Sequence, residues 1–527
     1  MNEPEKIPSP EPDANACENA FTAPENSSAA LLPAKPISRF DLADTVFAWG
    51  CLLLGYLFIR FAFSYSGGIC GGIFWALTGA LGAVYVKLKK YPVTKWHTVV
   101  FAIAEVFCLA PLFSSNRFVN TLAALFSYLL IFYLAAAVSG AELFGKDFAA
   151  DMLSAVFARP LANFGKAPAA AVYSFRGKNR MKNVLYVLIG LIAALPLTII
   201  VLLLLSSADS VFADVIDKVF FAFDLDIGAS AARVIFGALF GMYLFGMLFS
   251  IGTERKSAYN PAALQKLPPA VSYAAVTPIC VFYLIYLITQ LGYFTAAFGG
   301  ELPQGYSYSE FARKGFFELC AVAVINLCVI IIMQLITARK ADGSSPAALK
   351  VYTVVISVFT LLLVASAFSK MIMYIGELGM TPLRIYTAWF MLVMSAAFVL
   401  IIIVQFKRLH FWRVMFAAFT VMFAVLCFTN VDGLIARYNV NAYTSGNIAQ
   451  LDFDALSDLS VAAVKPVADM LEEPCDEQIR AEALDFFRDM LLDKSYTGWE
   501  YFSIPAAQAQ EVFAQYDIAG SVYDIAV

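Results

Sequence analysis

Apolar runs of about 18 residues or more recur along this chain, with short polar stretches between them. As a helix, such a run is long enough to cross roughly 30 Å of hydrocarbon. In lipid every backbone N–H and C=O must be satisfied within the structure, so only helices and closed barrels span. A barrel would show alternating segments of about ten residues, and the sequence has none. The expected fold class is therefore all-α: a polytopic transmembrane helix bundle with a small helical extramembrane C-terminal domain. The apolar runs predict 11 spans, at about 44–63, 66–86, 97–114, 118–138, 183–206, 229–251, 271–293, 315–337, 351–376, 385–406 and 411–429. A mean hydropathy of +0.73 over 527 residues agrees, because soluble domains of this length are far more polar.

Two segments break the pattern. Residues 147–175 carry too much Pro and charge to span, and read as an interfacial or re-entrant segment. Residues 210–225 read as a short amphipathic helix. The first 43 residues are rich in Pro, Ala, Ser and Glu and cannot bury enough apolar surface to order themselves, so they read as a disordered cytoplasmic tail. Their acidic start, with no apolar run behind it, does not resemble a signal peptide.

Lys and Arg near span ends set orientation. With the N-terminus in the cytoplasm, 22 of them fall in cytoplasmic loops and nine on the opposite side up to Arg437. An odd span count then places residues 430–527 outside the cytoplasm. From Asp432 onward this tail carries 17 Asp or Glu against five Lys or Arg. Phe453, Leu456, Leu459, Ala463, Val464, Val467 and Met470 recur at helical spacing, as do Ile479, Ala483, Phe486, Phe487, Met490 and Leu491. Asp452 fits an N-cap. The expected location is the bacterial cytoplasmic membrane, multi-pass, with the C-terminus extracytoplasmic.

Helix packing has its own signals. "GGICGG" (67–72) offers Gly67/Gly71 and Gly68/Gly72, and Gly237/Gly241 form another small-xxx-small pair that lets helices approach closely. The nine cysteines are scattered, without metal-site spacing, and read as small hydrophobes.

Three charged stretches fall on the predicted outer face. "GYSYSEFARKGFFELC" (305–320) holds Glu310, Arg313, Lys314 and Glu318, with Ser307 and Glu310 at capping-box spacing. "SKMIMYIGELGMTPLRIYT" (369–387) holds Lys370, Glu377 and Arg384. "FTNVDGLIARYNVNAY" (428–443) holds Asn430, Asp432, Arg437 and Asn439. Charge inside a membrane helix is costly, so pairing of Lys370 with Glu318 or Glu377 would offset its burial. Together the stretches read either as interfacial anchors locking helix ends or as an outward-facing binding or gating cluster. Glu105 lies mid-span in "FAIAEVFCLAPLF" (101–113), where a carboxyl group suggests an ion relay or a hydrogen bond to a neighbouring helix.

No phosphate-binding, dinucleotide, zinc-protease or serine-hydrolase motif is present, and no cofactor, metal or catalytic residue is expected. The two histidines, His97 and His410, sit at cytoplasmic span ends. Expected partners are the lipid bilayer and an envelope protein or small solute, not nucleic acid. "LPQGYSYSEFARKGFFEL" (302–319), "YIGELGMTPLRIYT" (374–387) and "NVDGLIARYNVNAY…LDFDALSDLSVAAV" (430–464) resemble a bacterial integral-membrane family of unknown function, domain of unknown function 4153/4173. The resemblance covers mainly residues 180–470; it implies a multi-span membrane protein and no particular activity. Three function classes stay open. The preferred one is a membrane scaffold or sensor with an outward-facing polar cluster. A solute transporter is the alternative, and a membrane-embedded transferase acting on a lipid-linked substrate is the second alternative. The reading leans away from an enzyme.

Overall fold

A computed structural model describes residues 40–63, 68–145, 147–173, 201, 227–252, 265–299, 316–340, 344–448, 450–492 and 499–518. Its long helices are α1 (Leu42–Leu57, running on through a π-helical turn Phe58–Phe63), α2 (Ile69–Leu88), α3 (Lys95–Phe107), α4 (Arg117–Val138), α5 (Ile227–Ser250) and α6 (Pro269–Gly299). There follow α7 (Phe316–Ile336), α8 (Ala347–Leu378), α9 (Pro382–Phe406) and α10 (Phe411–Phe428). The tail adds α11 (Val431–Thr444), α12 (Val464–Leu471), α13 (Glu477–Leu492) and α14 (Ile504–Gln515). Among the described residues, ten helices are long and apolar enough to cross a membrane, and they coincide with ten of the 11 expected spans. The remaining one, 183–206, lies outside the described residues apart from Val201, as do the expected amphipathic helix 210–225 and residues 1–39. The chain is an all-α, multi-pass membrane bundle.

Side-chain caps start several of these helices. Asp41 and Asp44 form a reciprocal capping box on α1, and Thr94 and His97 form one on α3. Asn116 caps α4 and Asn430 caps α11. Asp452 caps the short helix Phe453–Ser457, as its sequence position predicts.

Glycines set the closest helix contacts. A Cβ on Gly241 would stand 2.6 Å from the Cys51 carbonyl oxygen, and one on Gly237 would stand 2.7 Å from Tyr56 Cα. The pair seen in the sequence is therefore the seam on which α5 crosses α1, and Gly55 of α1 completes it: its Cβ would meet the Gly237 oxygen at 2.0 Å. In "GGICGG" Gly72 works this way and Gly71 does not. A Cβ on Gly72 would meet the Cys108 oxygen at 2.1 Å, whereas nothing lies within 4 Å of one on Gly71.

The bundle has two opposite ends. At one, Phe40 packs on Tyr173 and Phe249, Thr45 donates to the Ala170 carbonyl at 2.8 Å, and Arg413 pairs with Glu142 at 2.7 Å. These residues belong to loops the sequence assigns to one membrane face, the basic one. The segment 147–173 enters the bundle there as short helices, with the Pro160 carbonyl 2.4 Å from where a Gly246 Cβ would sit. Tyr243 of α5 donates to the Val156 carbonyl at 2.5 Å, about two turns before α5 ends. At the other end Phe61 meets Trp499, and Ser115 bonds Ser503 at 2.6 Å. The tail thus shares one end with the described predicted outer loops, at Phe61, Ser115 and Met380. Among the described residues the tail's apolar core is continuous with the bundle: Phe107, Val119 and Phe423 of the spans lie in one cluster with Leu456, Val467 and Phe487.

At the basic end, Lys89 pairs with Asp41 and Asp44, each at 2.8 Å, and Tyr85 donates to Asp44 at 3.0 Å. Burial pulls Asp41 upward, but the Lys89 hydrogen bond, the Asp44 amide and the Lys89 charge outweigh it and hold its carboxyl below the ordinary value of 3.8. Burial pulls Lys89 down, yet its bonds to Asp41 and Asp44 hold it above the ordinary 10.5. A depressed acid stabilises above its unfolded value and loses that contribution as pH falls through its folded one; a raised base loses its contribution only as pH rises through its folded value. The clasp is thus intact at neutrality. Acid below about pH 4 is expected to lower the thermal midpoint of the solubilised wild type more than that of Lys89→Met, measured side by side.

Candidate functional site

At the tail-bearing end lie Arg384, Asn430, Asp432 and Asn439, four of the polar residues that the sequence singled out. Asn116 caps α4 by accepting from the Val119 amide at 3.0 Å. That leaves its Nδ2 free to donate elsewhere, and it donates to both Asp432 oxygens, at 2.8 and 3.0 Å, and to the Tyr386 hydroxyl at 2.8 Å. Asp432, in the first turn of α11, is 1% exposed and also accepts from the Ser460 amide at 3.0 Å. Its hydrogen-bond partners are all uncharged. One carboxyl group thus joins α11, the 458–460 turn and the start of α4, with α9 reached through Asn116.

A second clamp lies beside it. Asn439 accepts from the Met380 amide at 2.7 Å and donates to the Met380 carbonyl at 2.9 Å, holding the α8–α9 turn through both of its backbone groups. Gly379 makes that turn with φ +74° and ψ −177°, a region essentially confined to Gly. Its Cβ would stand 2.7 Å from Asn439 Oδ1. Gly379→Ala is expected to cost about 1–3 kcal/mol and to break the Asn439 clamp. Thermal unfolding and the exchange rate of the Met380 amide read this directly.

Arg384 donates to the Gly379 carbonyl and lies over the Tyr374 ring at 4.0 Å. It forms one wall of a cleft of ≈ 810 Å³ between the α8–α9 turn and the tail. Asp454, Glu482, Asp485 and Asp489 line the facing side. Asp485 pairs with Arg488 at 2.8 Å.

Of the remaining predicted residues, Glu310, Arg313 and Lys314 lie outside the described residues. Glu318 is exposed in the first turn of α7, Lys370 is half-buried on α8, and Arg437 is exposed on α11. Glu377 is in the last turn of α8, and its side chain lies outside the described residues. Asn430 is committed to capping α11, accepting from Gly433 at 3.2 Å. The structure thus separates Asn430, a helix cap, from Asp432, the centre of the hub, and places Arg384 beside the Asn439 clamp. Glu105 lies in the membrane region, its buried Oε1 accepting no hydrogen bond from any described residue and lying 2.1 Å from where a Gly79 Cβ would sit.

Sequence reasoning missed Asn116, Tyr386 and Ser460. An Asn just before an apolar run signals only a cap, and nothing local marks its second use.

The family described as Domain of unknown function (DUF4153) matches residues 101–470. That reach begins upstream of the motifs that carry the resemblance and takes in α3 to α12, including both clamps. No curated protein and no solved structure matches the chain.

Proposed function

The chain belongs to the DUF4153 family of unknown function, and we propose that it is a membrane scaffold or sensor whose tail is held as a rigid platform on the outer end of the bundle. The observation that carries this reading is the Asp432 hub. Polar groups that a transporter or transferase would turn toward solute or substrate are instead spent on fastening the tail to α4 and α9. The Asn439 clamp and the continuous apolar cluster add to that fastening.

In this reading the basic end faces the cytoplasm of a bacterial cell and the tail faces the envelope, because Lys and Arg concentrate on the cytoplasmic side. The cleft beside Arg384, with its carboxyl rim, suits an envelope partner that offers Lys or Arg side chains. Glu105 favours a second reading, a solute transporter with an intramembrane carboxyl group. Ion flux in proteoliposomes that is lost in Glu105→Gln would carry that reading instead.

A photo-crosslinking amino acid at Ser457, which is exposed on the cleft wall, tests the scaffold in living cells. The expected result is a discrete protein adduct that Asp485→Lys with Asp489→Lys removes. Adducts no different from those formed at Trp96, at the opposite end, would count against it.

A further inference from the structure

The basic end carries a groove unrelated to the tail platform. It has a volume of ≈ 450 Å³, within the usual range of about 300–1,000 Å³ for small-ligand sites. Its walls come from α2, α3, α4 and α5 and are almost entirely apolar, Val86, Phe101, Leu134 and Leu248 among them. Ala83 and Thr98 also line it and are exposed, so the groove opens sideways at the bundle surface. Gly82 puts no side chain into the groove, and the nearest atom to a Cβ there would be Leu248 Cδ2 at 3.5 Å; at Gly79 the Glu105 carboxyl and the Phe101 ring take the space a side chain would fill.

The mouth is different in kind. Lys87 and Lys90 border it, both exposed. The neighbouring Lys89 is neutralised by Asp41 and Asp44, and among the described residues these acids pair with no other cation. Among the described residues Lys87 and Lys90 have no acidic partner. The turn after α2 keeps them together: Lys90 takes φ +56°, donates to the Lys87 carbonyl at 3.2 Å, and Tyr91 closes back on Val86 at 3.1 Å. A left-handed turn residue is ordinarily Gly or Asn, so a Lys there sits at a conformation its own backbone disfavours.

We propose that this groove holds an acyl chain of an anionic glycerophospholipid, with Lys87 and Lys90 against its phosphate. The occupant follows from two observations that must hold together. An apolar slot open to the side of a membrane bundle matches a hydrocarbon chain. Two cations at its interfacial end, unpaired among the described residues, match an anionic headgroup, since basic pockets between spans on the cytoplasmic side recognise such lipids. A second apolar groove, on the other side of α3, has only half of this. The cation at its edge, Arg413, is already paired with Glu142 at 2.7 Å.

The full chain in nanodiscs of equal phosphatidylglycerol and phosphatidylcholine supplies the test, with lipids retained after release read by native mass spectrometry. Wild type is expected to retain phosphatidylglycerol in preference. Each of Lys87→Gln and Lys90→Gln should lower that retention about fivefold, leaving phosphatidylcholine unchanged. Ala83→Phe should displace the lipid with both lysines intact. Equal retention of the two lipids by wild type, or unchanged retention in the variants, overturns the proposal. A measurement on wild type alone guards against variants that fold poorly. Phosphatidylglycerol with a photoactivatable acyl chain should label Val86, Phe101 or Leu134. Label spread evenly over outward-facing positions such as Val106, Val281 and Ile372 would mean boundary lipid only, and would equally overturn it.

Discussion

Asp432→Ala is expected to loosen the tail from the bundle while leaving the spans assembled. The substitution removes the acceptor for Asn116 and for the Ser460 amide at once. The buried Ser460 amide left without an acceptor costs about 1–3 kcal/mol, and Asn116, part-buried and still bonded to the Tyr386 hydroxyl, adds a smaller loss. The loss falls on one junction, because the apolar contacts within the spans do not involve Asp432. Hydrogen exchange at the Ser460 amide should then accelerate by about thirtyfold or more, the factor that about 2 kcal/mol represents. Asp432→Asn keeps one carbonyl acceptor but turns an amide donor toward existing donors, so its effect should be intermediate. Unchanged protection of Ser460 in Asp432→Ala would mean that the apolar cluster alone holds the tail, and the platform reading would lose the observation that carries it.

The second large effect belongs to the α1–α5 crossing. Gly241→Leu places a side chain where a Cβ alone would stand 2.6 Å from the Cys51 carbonyl oxygen and 2.7 Å from Leu52 Cα. Both are backbone atoms, so no rotamer change relieves the contact and the helices must separate. Overpacking costs typically about 1–3 kcal/mol, occasionally more. A seam that Gly55, Gly237 and Gly241 share belongs at the upper end of that range. Folded protein recovered from membranes should fall sharply. Gly71→Ala is the control: nothing lies within 4 Å of its Cβ, and its yield should match wild type. Equal loss in both variants would mean that helix glycines matter here for insertion and not for packing.

These residues also mark what sequence can and cannot carry. Ten spans were legible because a membrane helix is defined by length and hydropathy, both local quantities. Gly237 and Gly241 were legible because helical spacing puts them on one face, whereas Gly55 was not, since its partner lies 182 positions away. The tail helices followed from apolar periodicity, and Asp452 from capping chemistry. The Asp432 hub was only half legible. An acid beside a span end attracts notice, but its partner Asn116 is separated from it by 316 positions. Charge drew attention equally to Arg437 and Asp432; burial separates them, one exposed and the other enclosed. Asp44 went unnoticed for a related reason: as the fourth residue of an ordinary capping box, it gives no sign that it is buried against Lys89 and Tyr85.

The decisive measurement is the side of the membrane on which the tail lies. Cys475, half-buried between α12 and α13, is the tail's sole cysteine. A membrane-impermeant maleimide applied to intact cells, with Cys475→Ser as the control for the other eight thiols, reports its side directly. Labelling of intact cells is the predicted result and puts the Asp432 hub, the Asn439 clamp and the acidic cleft at the envelope. Labelling only after lysis would contradict it, and would place the platform and its partner in the cytoplasm.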